Sequence, residues 1–251
     1  MPMENGGFLK NTQIIILGVC IAVATIVSSM ILSGGVLKVM KFTREQISVT
    51  GSATKEIRSD YIIWSGTFSR RDTSLKKVYA SLSEDLAKIR ACLAAKGVAE
   101  KEIIISSVTT YTVYKKNEKG NDTNEIQYYI LSQTVEIRSK DVDRITAVSR
   151  EVTELIDQGV EFESQAPEYF YTKLDELKLE MLAKASENAK QRAENMVRAA
   201  GNRIGFMRSA RMGVFQITPV TSTEVSDWGM NDTSSLDKRV MAVVTASFAI
   251  R

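Results

Sequence analysis

Apolar and polar positions divide the chain into two regions with different patterns. From Asn11 to Leu37 there is no charged residue, and the heart of this run is IIILGVCIAVATIVSSMIL, Ile14 to Leu32. A helix rises about 1.5 Å per residue, so about 20 such residues cross a hydrocarbon layer of about 30 Å. The run therefore predicts one transmembrane helix or signal anchor over residues 13–37, between a tail (1–12) and a linker (38–46). A cleaved signal peptide competes with this reading. Its apolar region is typically only about 7–15 residues, but Ser33 and Gly35 offer a small-x-small cleavage site. Lys10 is the only basic residue before the run, whereas Lys38, Lys41 and Arg44 follow it. Taken literally, the positive-inside rule puts the body in the cytoplasm.

From Ile47 onward the periodicity alternates between strand and helix. Ile47–Ile57 alternates, and Asp60–Ser69 reads as a second strand. Asp72, Thr73 and Ser74 offer N-caps to a helix with the stripe Leu75, Val78, Tyr79, Leu82, Leu86, Ile89 and Leu93, stopped by Gly97. Glu102–Tyr114 and Ile126–Arg138 are strands around the polar turn Lys115–Glu125. A second helix opens at Asp141 with the stripe Val142, Ile145, Val148, Val152, Leu155 and Ile156, and ends at Gly159. Val160–Tyr171 is extended, and Pro167 restricts it to an edge or a bend. The longest helix runs from about Lys173 to Ala200 on Leu174, Leu177, Met181, Ala185, Ala189, Ala193, Met196 and Ala200, with Gly201 as its cap. Arg203–Ile217 is a strand, Thr218–Asp237 a long loop, and Val240–Ile250 a closing strand that is apolar on both faces.

The predicted order is ββαββαβαββ. A helix–glycine–strand–loop–strand unit occurs from Asp72 to Arg138 and again from Lys173 to Ile250, which suggests a duplicated α-β-β piece. The expected fold class is α+β, a mainly antiparallel sheet with three packed helices, preceded by the apolar helix.

Composition narrows the chemistry. The 251 residues are 44% hydrophobic and 25% charged with net charge +3, which fits a globular body and gives no basic excess for nucleic acid. There is no histidine, so triads and metal sites that need imidazole are excluded. Cys20 lies in the apolar run, which leaves Cys92 as a small core residue and no disulfide within the body. Ser-x-x-Lys occurs at Ser52/Lys55, Ser74/Lys77 and Ser235/Lys238 without the partner motifs of a Ser–Lys hydrolase. Asp175, Glu176 and Glu180 read as a solvated helix face, with Glu180/Lys184 as an i,i+4 pair. Lys184, Lys190, Arg192, Arg198 and Arg203 are interleaved with Glu187 and Glu194 and read as an ordinary charged face. The loop 218–237 carries Trp228, Met230 and the acids Glu224, Asp227, Asp232 and Asp237. It is either a contact site for a protein partner or a hairpin tip.

Ile47–Ile57, the helix Leu174–Gly201 and the apolar closing strand resemble the SIMPL-domain family of bacterial periplasmic immunogenic and oxidative-stress-defence proteins. The likeness extends from about Ile47 to Ile250. It implies an extracytoplasmic body, periplasmic or at the cell surface, which overrides the charge count around the anchor. It further implies assembly into hollow rings and carries no catalytic residues. The expectation is a membrane-anchored, self-assembling envelope protein with a structural or stress-protective role. It has no enzyme activity, cofactor or metal, binds no nucleic acid, forms homo-oligomers and contacts the membrane through residues 13–37. The alternatives are a monomeric binding module using the acidic Trp228 loop and a Ser–Lys hydrolase.

Overall fold

A computed structural model describes residues 6–251 of the chain, with side chains for residues 14–38 and 45–251. The apolar run lies inside one continuous helix, α1 (Gly6–Arg44), so the stretch expected as a linker is helical as far as Arg44. Ile14–Lys38 is long and apolar enough to cross a membrane, and its side chains are exposed. Glu45 then turns the chain into β1 (Gln46–Arg58) and β2 (Tyr61–Asp72).

β2 lies in a six-stranded sheet with the long strand β5 (Asp122–Ser139). The two pair antiparallel from Ile62↔Ser139 to Asp72↔Tyr129. Strand side chains alternate between faces. Ile62, Trp64 and Phe68 of β2 are therefore buried together with Leu131, Val135 and Ile137 of β5. They pack under α2 (Leu75–Ala95) through Val78, Leu82, Ile89 and Leu93, and under α3 (Val142–Glu151) through Ile145 and Val148. The opposite face, with the paired hydroxyls of Thr67 and Thr134 at 3.0 Å, is half-exposed. Asp141 caps α3 as its position predicts, its Oδ1 accepting from the Arg144 N–H at 3.2 Å. Ser74 is the N-cap of α2 but makes no side-chain cap bond, and the Ser74 N–H instead donates to Asp72 Oδ1. Gly97, Gly159 and Gly201 all stand at φ +78, the left-handed geometry that ends a helix cheaply only at glycine.

Two strands expected to be continuous are broken. Glu102–Tyr114 divides into β3 (Ile103–Ile105) and β4 (Thr109–Lys116), which pair with successive parts of β5. At the break the Ser106 side chain joins the ladder, its Oγ accepting from the Thr134 N–H at 3.0 Å. Val160–Tyr171 divides around Pro167 into β6 (Glu161–Ser164) and β7 (Glu168–Phe170), both paired with β2.

The helix stripe on α2 also needs correction. Leu75 and Tyr79 are exposed, while Asp85 is buried, only 1% exposed. Arg70, at the end of the covered face of β2, explains this. Its guanidinium donates to both Asp85 carboxylate oxygens and to the Gly159 carbonyl. A buried carboxylate persists only with such a partner.

The second sheet has the order β1-β11-β9-β10, with β8 also on β11. Here β8 is Ile204–Met212, β9 Gln216–Pro219, β10 Met230–Asn231 and β11 Asp237–Ile250. The expected strand Arg203–Ile217 is thus split near Gly213. The helix α4 (Leu174–Ala199) supplies the cover. The chain divides into two compact units, and β1, α4 and β11 each contribute to both. Within Ser52–Ser186 plus Met212–Val244, Leu177, Met181 and Ala185 pack on Ile57, Ile217, Val240, Ala242 and Val244. Within the other unit (residues up to Gly51, Glu187–Arg211 and Thr245–Arg251), Ala189 and Ala193 pack with Val49, Ala246 and Phe248. Val197, not Met196, continues the buried stripe of α4. β11 is therefore covered on one face by its own helix. Its other face carries half-exposed Met241, Val243 and Ser247, exposed Thr245 and buried Ala249, so that face is mixed where an apolar one was expected.

The duplication is visible in the sheets. β5 has β2 on one side and a two-piece strand, β3 and β4, on the other. β11 has β1 beside it and the pieces β8 and β9 as further partners. Thr50 and Thr245 on β1 and β11 pair their hydroxyls at 3.1 Å, as Thr67 and Thr134 do on β2 and β5.

On β2 the small residue at Gly66 is required by packing. A Cβ there would overlap the Phe162 ring, which itself lies against Trp64 with ring centroids 6.1 Å apart. Gly66→Ala should cost about 1–3 kcal/mol by overpacking, read as a lower urea midpoint with unchanged slope.

Candidate functional site

The three Ser-x-x-Lys pairs lie in different settings. Lys55 donates to Glu180 at 2.8 Å. Ser74 is the α2 N-cap and Lys77 is exposed. Lys238 is buried, and its Nζ donates to the Tyr169 carbonyl at 2.9 Å and to the Asp232 carbonyl. Burial pushes the Lys238 amine below its ordinary range. Burial raises the Asp232 carboxyl, but hydrogen bonds from Ser234 and Ser235 and the charge of Lys238 prevail and hold it low. The lysine thus spends its donors on main-chain oxygens. It clamps the strip before β11 to β7, a geometry unlike that of a base turned toward a serine hydroxyl.

The segment 218–237 is more ordered than a plain loop. β10 runs parallel to β9 with Met230↔Gln216 and Asn231↔Ile217 in register. The buried Gln216 amide grips the loop main chain: its Nε2 donates to the Ser226 carbonyl at 2.6 Å, and its Oε1 accepts from the Ser226 N–H at 3.3 Å. The Gly229 N–H donates to the Ser226 carbonyl at 3.1 Å, closing a turn that leaves Trp228 94% exposed beside Val225, Glu224 and Asp227. Asp232 and Asp237 lie further along the strip. Met230 is half-buried in β10.

Elsewhere the charges behave as a solvated face. The Lys184 and Lys55 ammonium groups hold the Glu180 carboxyl down at about 2. Asp175 pairs with Lys178 at 3.7 Å. Lys190 pairs with Glu194 at 3.9 Å, and Arg192 donates to the Thr50 carbonyl. Arg198 and Arg203 line an open cleft of about 450 Å³ with Glu194, Gly201 and Asn202. Cys92 is half-buried and packs against the edge of the core under α2. Burial raises its thiol, which donates to Glu154 Oε1 at 3.6 Å. Among the described residues no three Cys, Asp or Glu side chains converge as metal ligands.

The sequence reading passed over the ribbon of β4 and β5. β4 pairs with Ile126–Ser132 of β5, whereas β2 reaches back only to Tyr129, so the two strands extend together beyond the sheet. Tyr114 and Ile126 are exposed on the part of the ribbon beyond β2, and Tyr111, opposite Ile130 where β2 still pairs with β5, is 62% exposed. The aromatic run was legible in the sequence, but the point where β2 stops was not.

Glu180, low in the folded state, adds stability that is fully present above its ordinary value of 4.5 and is lost as pH falls toward about 2. Glu180→Gln should therefore lose less stability than the parent chain between neutral pH and about pH 3 in urea melts. Gln216→Ala should speed amide exchange over residues 224–230 while β9 and β11 stay protected, as read by hydrogen–deuterium exchange.

No curated protein matches the chain. A family profile described as SIMPL, a protein of unknown function (DUF541), matches residues 47–248, the whole span from the start of β1 almost to the end of β11. The chain belongs to the SIMPL family.

Proposed function

We propose that this protein is a membrane-anchored envelope protein that assembles with copies of itself through its sheets and serves a structural or stress-protective role without catalysis. α1 holds the chain in the membrane and the body lies on the extracytoplasmic side. The observation that carries the assembly is the β4–β5 ribbon. A two-stranded ribbon is marginal in water unless another surface supports it. This one exposes Tyr114 and Ile126, with Tyr111 exposed on β4 just before it, and among the described residues its β4 edge has β5 as its only strand partner. An uncovered edge with aromatic side chains is a template for pairing with another chain. A copy of the same protein can supply that cover around a closed ring, which limits growth. The half-exposed faces of both sheets, with their threonine pairs, offer further area.

Size-exclusion chromatography with light scattering on the detergent-solubilised full chain tests this. The parent chain should run as a multiple of the 27.9 kDa protomer. The double change Tyr111→Lys/Tyr114→Lys should reduce it to monomer with an unchanged circular dichroism spectrum. A strictly monomeric parent chain across concentrations removes the assembly.

A second reading, a binding module for a protein partner, is favoured by one observation: Gln216 holds the main chain of the turn at Ser226, and Trp228 in that turn is almost fully exposed. A rigidly presented tryptophan loses little conformational freedom on docking. The two readings use different surfaces, so Trp228→Ala should leave the assembly mass unchanged.

A further inference from the structure

The anchor and the body meet at a defined place. α1 continues for six residues beyond Lys38, the end of the span, to Arg44, a rise of about 9 Å at about 1.5 Å per residue. The headgroup layer on each side of a bilayer is about 5–8 Å deep, the difference between about 30 Å of hydrocarbon and about 40–45 Å in total. Glu45 therefore stands at the outer edge of the headgroups when α1 spans. Its carbonyl accepts from the Ile250 N–H at 3.1 Å, which ties the end of β11 to that level. The N–H groups of Arg203 and Arg251 donate to each other's carbonyls at 2.7 Å, bringing the turn between α4 and β8 to the same level.

This end of the body is basic and partly apolar. Arg208 and Arg251 lie 5.8 and 5.9 Å from the centre of the Phe206 ring. That ring is 50% exposed, and Met207 beside it is also exposed. Arg198 and Arg203 face the 450 Å³ cleft and make no ion pair among the described residues. Among the described residues Glu194 is the acidic side chain lining the cleft, and it is shared with Lys190. The dipole at the C-terminus of α4 opposes an anion, so the arginine charges must outweigh it; two of its last carbonyls are already occupied. The Gly201 N–H donates to the Arg198 carbonyl and the Asn202 N–H to the Val197 carbonyl, each at 3.0 Å. Lys38, at the end of the span, adds a positive charge on the helix side.

We propose that this end is a lipid-docking surface. Arg198 and Arg203 take an anionic headgroup phosphate in the cleft between them, while Phe206, between Arg208 and Arg251, rests at the interface of the same membrane. The inference rests on the anchored reading of α1 and is independent of which leaflet the body faces. Arginine suits the role because its planar fork meets phosphate oxygens in pairs, and an aromatic ring beside it sits well at the water–lipid boundary. The contact would hold this end of the body against the bilayer.

The test uses the full chain in nanodiscs of neutral phosphatidylcholine and in nanodiscs enriched in phosphatidylglycerol, read by hydrogen–deuterium exchange. Exchange over residues 198–212 should slow about thirtyfold in the anionic discs, the size expected for two arginines on an anionic surface, and the effect should shrink as salt rises. Arg198→Gln/Arg203→Gln should abolish the slowing while the core strands remain protected. Equal exchange in the two lipids with the chain inserted overturns the docking surface and leaves the anchor intact. Persistence of the slowing in the double variant overturns it as well. Slowing of the same size from inorganic phosphate in neutral discs overturns lipid as the source. A chain that enters neither disc overturns the anchor, and the docking surface with it.

Discussion

Strand alternation sends every second side chain of β5 and β11 to one face, and the chain has enough helix to cover only that face of each. Under α2 and α3 lie Ile62, Trp64, Phe68, Val135 and Ile137. Under α4 lie Val240, Ala242 and Val244 in one unit, and Ala246 and Phe248 in the other. The uncovered faces are correspondingly mixed, with threonine pairs at their centres in place of aliphatic side chains. A half-covered sheet folds on its own and still presents a broad, partly apolar surface. From this balance follow the exposed ribbon, the open edges and the reading of the body as one member of an assembly.

Within the covered layer, three polar groups connect segments that periodicity alone would leave separate. Arg70 joins β2 to α2 and to the glycine after the 3₁₀ turn that follows α3. Lys238 joins β11 to β7 and to the strip around Asp232. Gln216 joins β9 to the Trp228 turn. Gln216 and Lys238 are buried and Arg70 is half-buried, and each gives its donors to fixed acceptors, which is the condition under which a buried polar group is tolerated. Their common effect is to restrain loops. This is why a segment with the composition of a mobile loop, Thr218–Asp237, has a parallel strand pair and a defined turn.

Much of the architecture was legible in the chain because it depends on local rules. The glycines after α2, after the 3₁₀ turn beyond α3 and after α4 were recognisable as stops, and all three take the left-handed φ that makes glycine the cheap choice. Asp141 was recognisable as a cap, the apolar run as a helix long enough to span, and the repeated α-β-β order as a duplication. Less was legible wherever two segments had to meet. The breaks at Ser106 and Pro167 depend on which stretch of β5 or β2 lies opposite. The burial of Asp85 in place of Tyr79 depends on Arg70 arriving from another element.

Side-chain period, capping residues and the length of one apolar segment settled the elements, their order and the helix that can cross a bilayer, because each is decided by contacts within a few residues along the chain. Packing of distant segments settled which face of β11 is covered, where β2 stops short of the β4–β5 ribbon, and how Arg203 and Arg251 come to stand beside the end of α1. Those features arise from pairing across many tens of residues, and the pattern of any single segment carries no record of the partner that completes it.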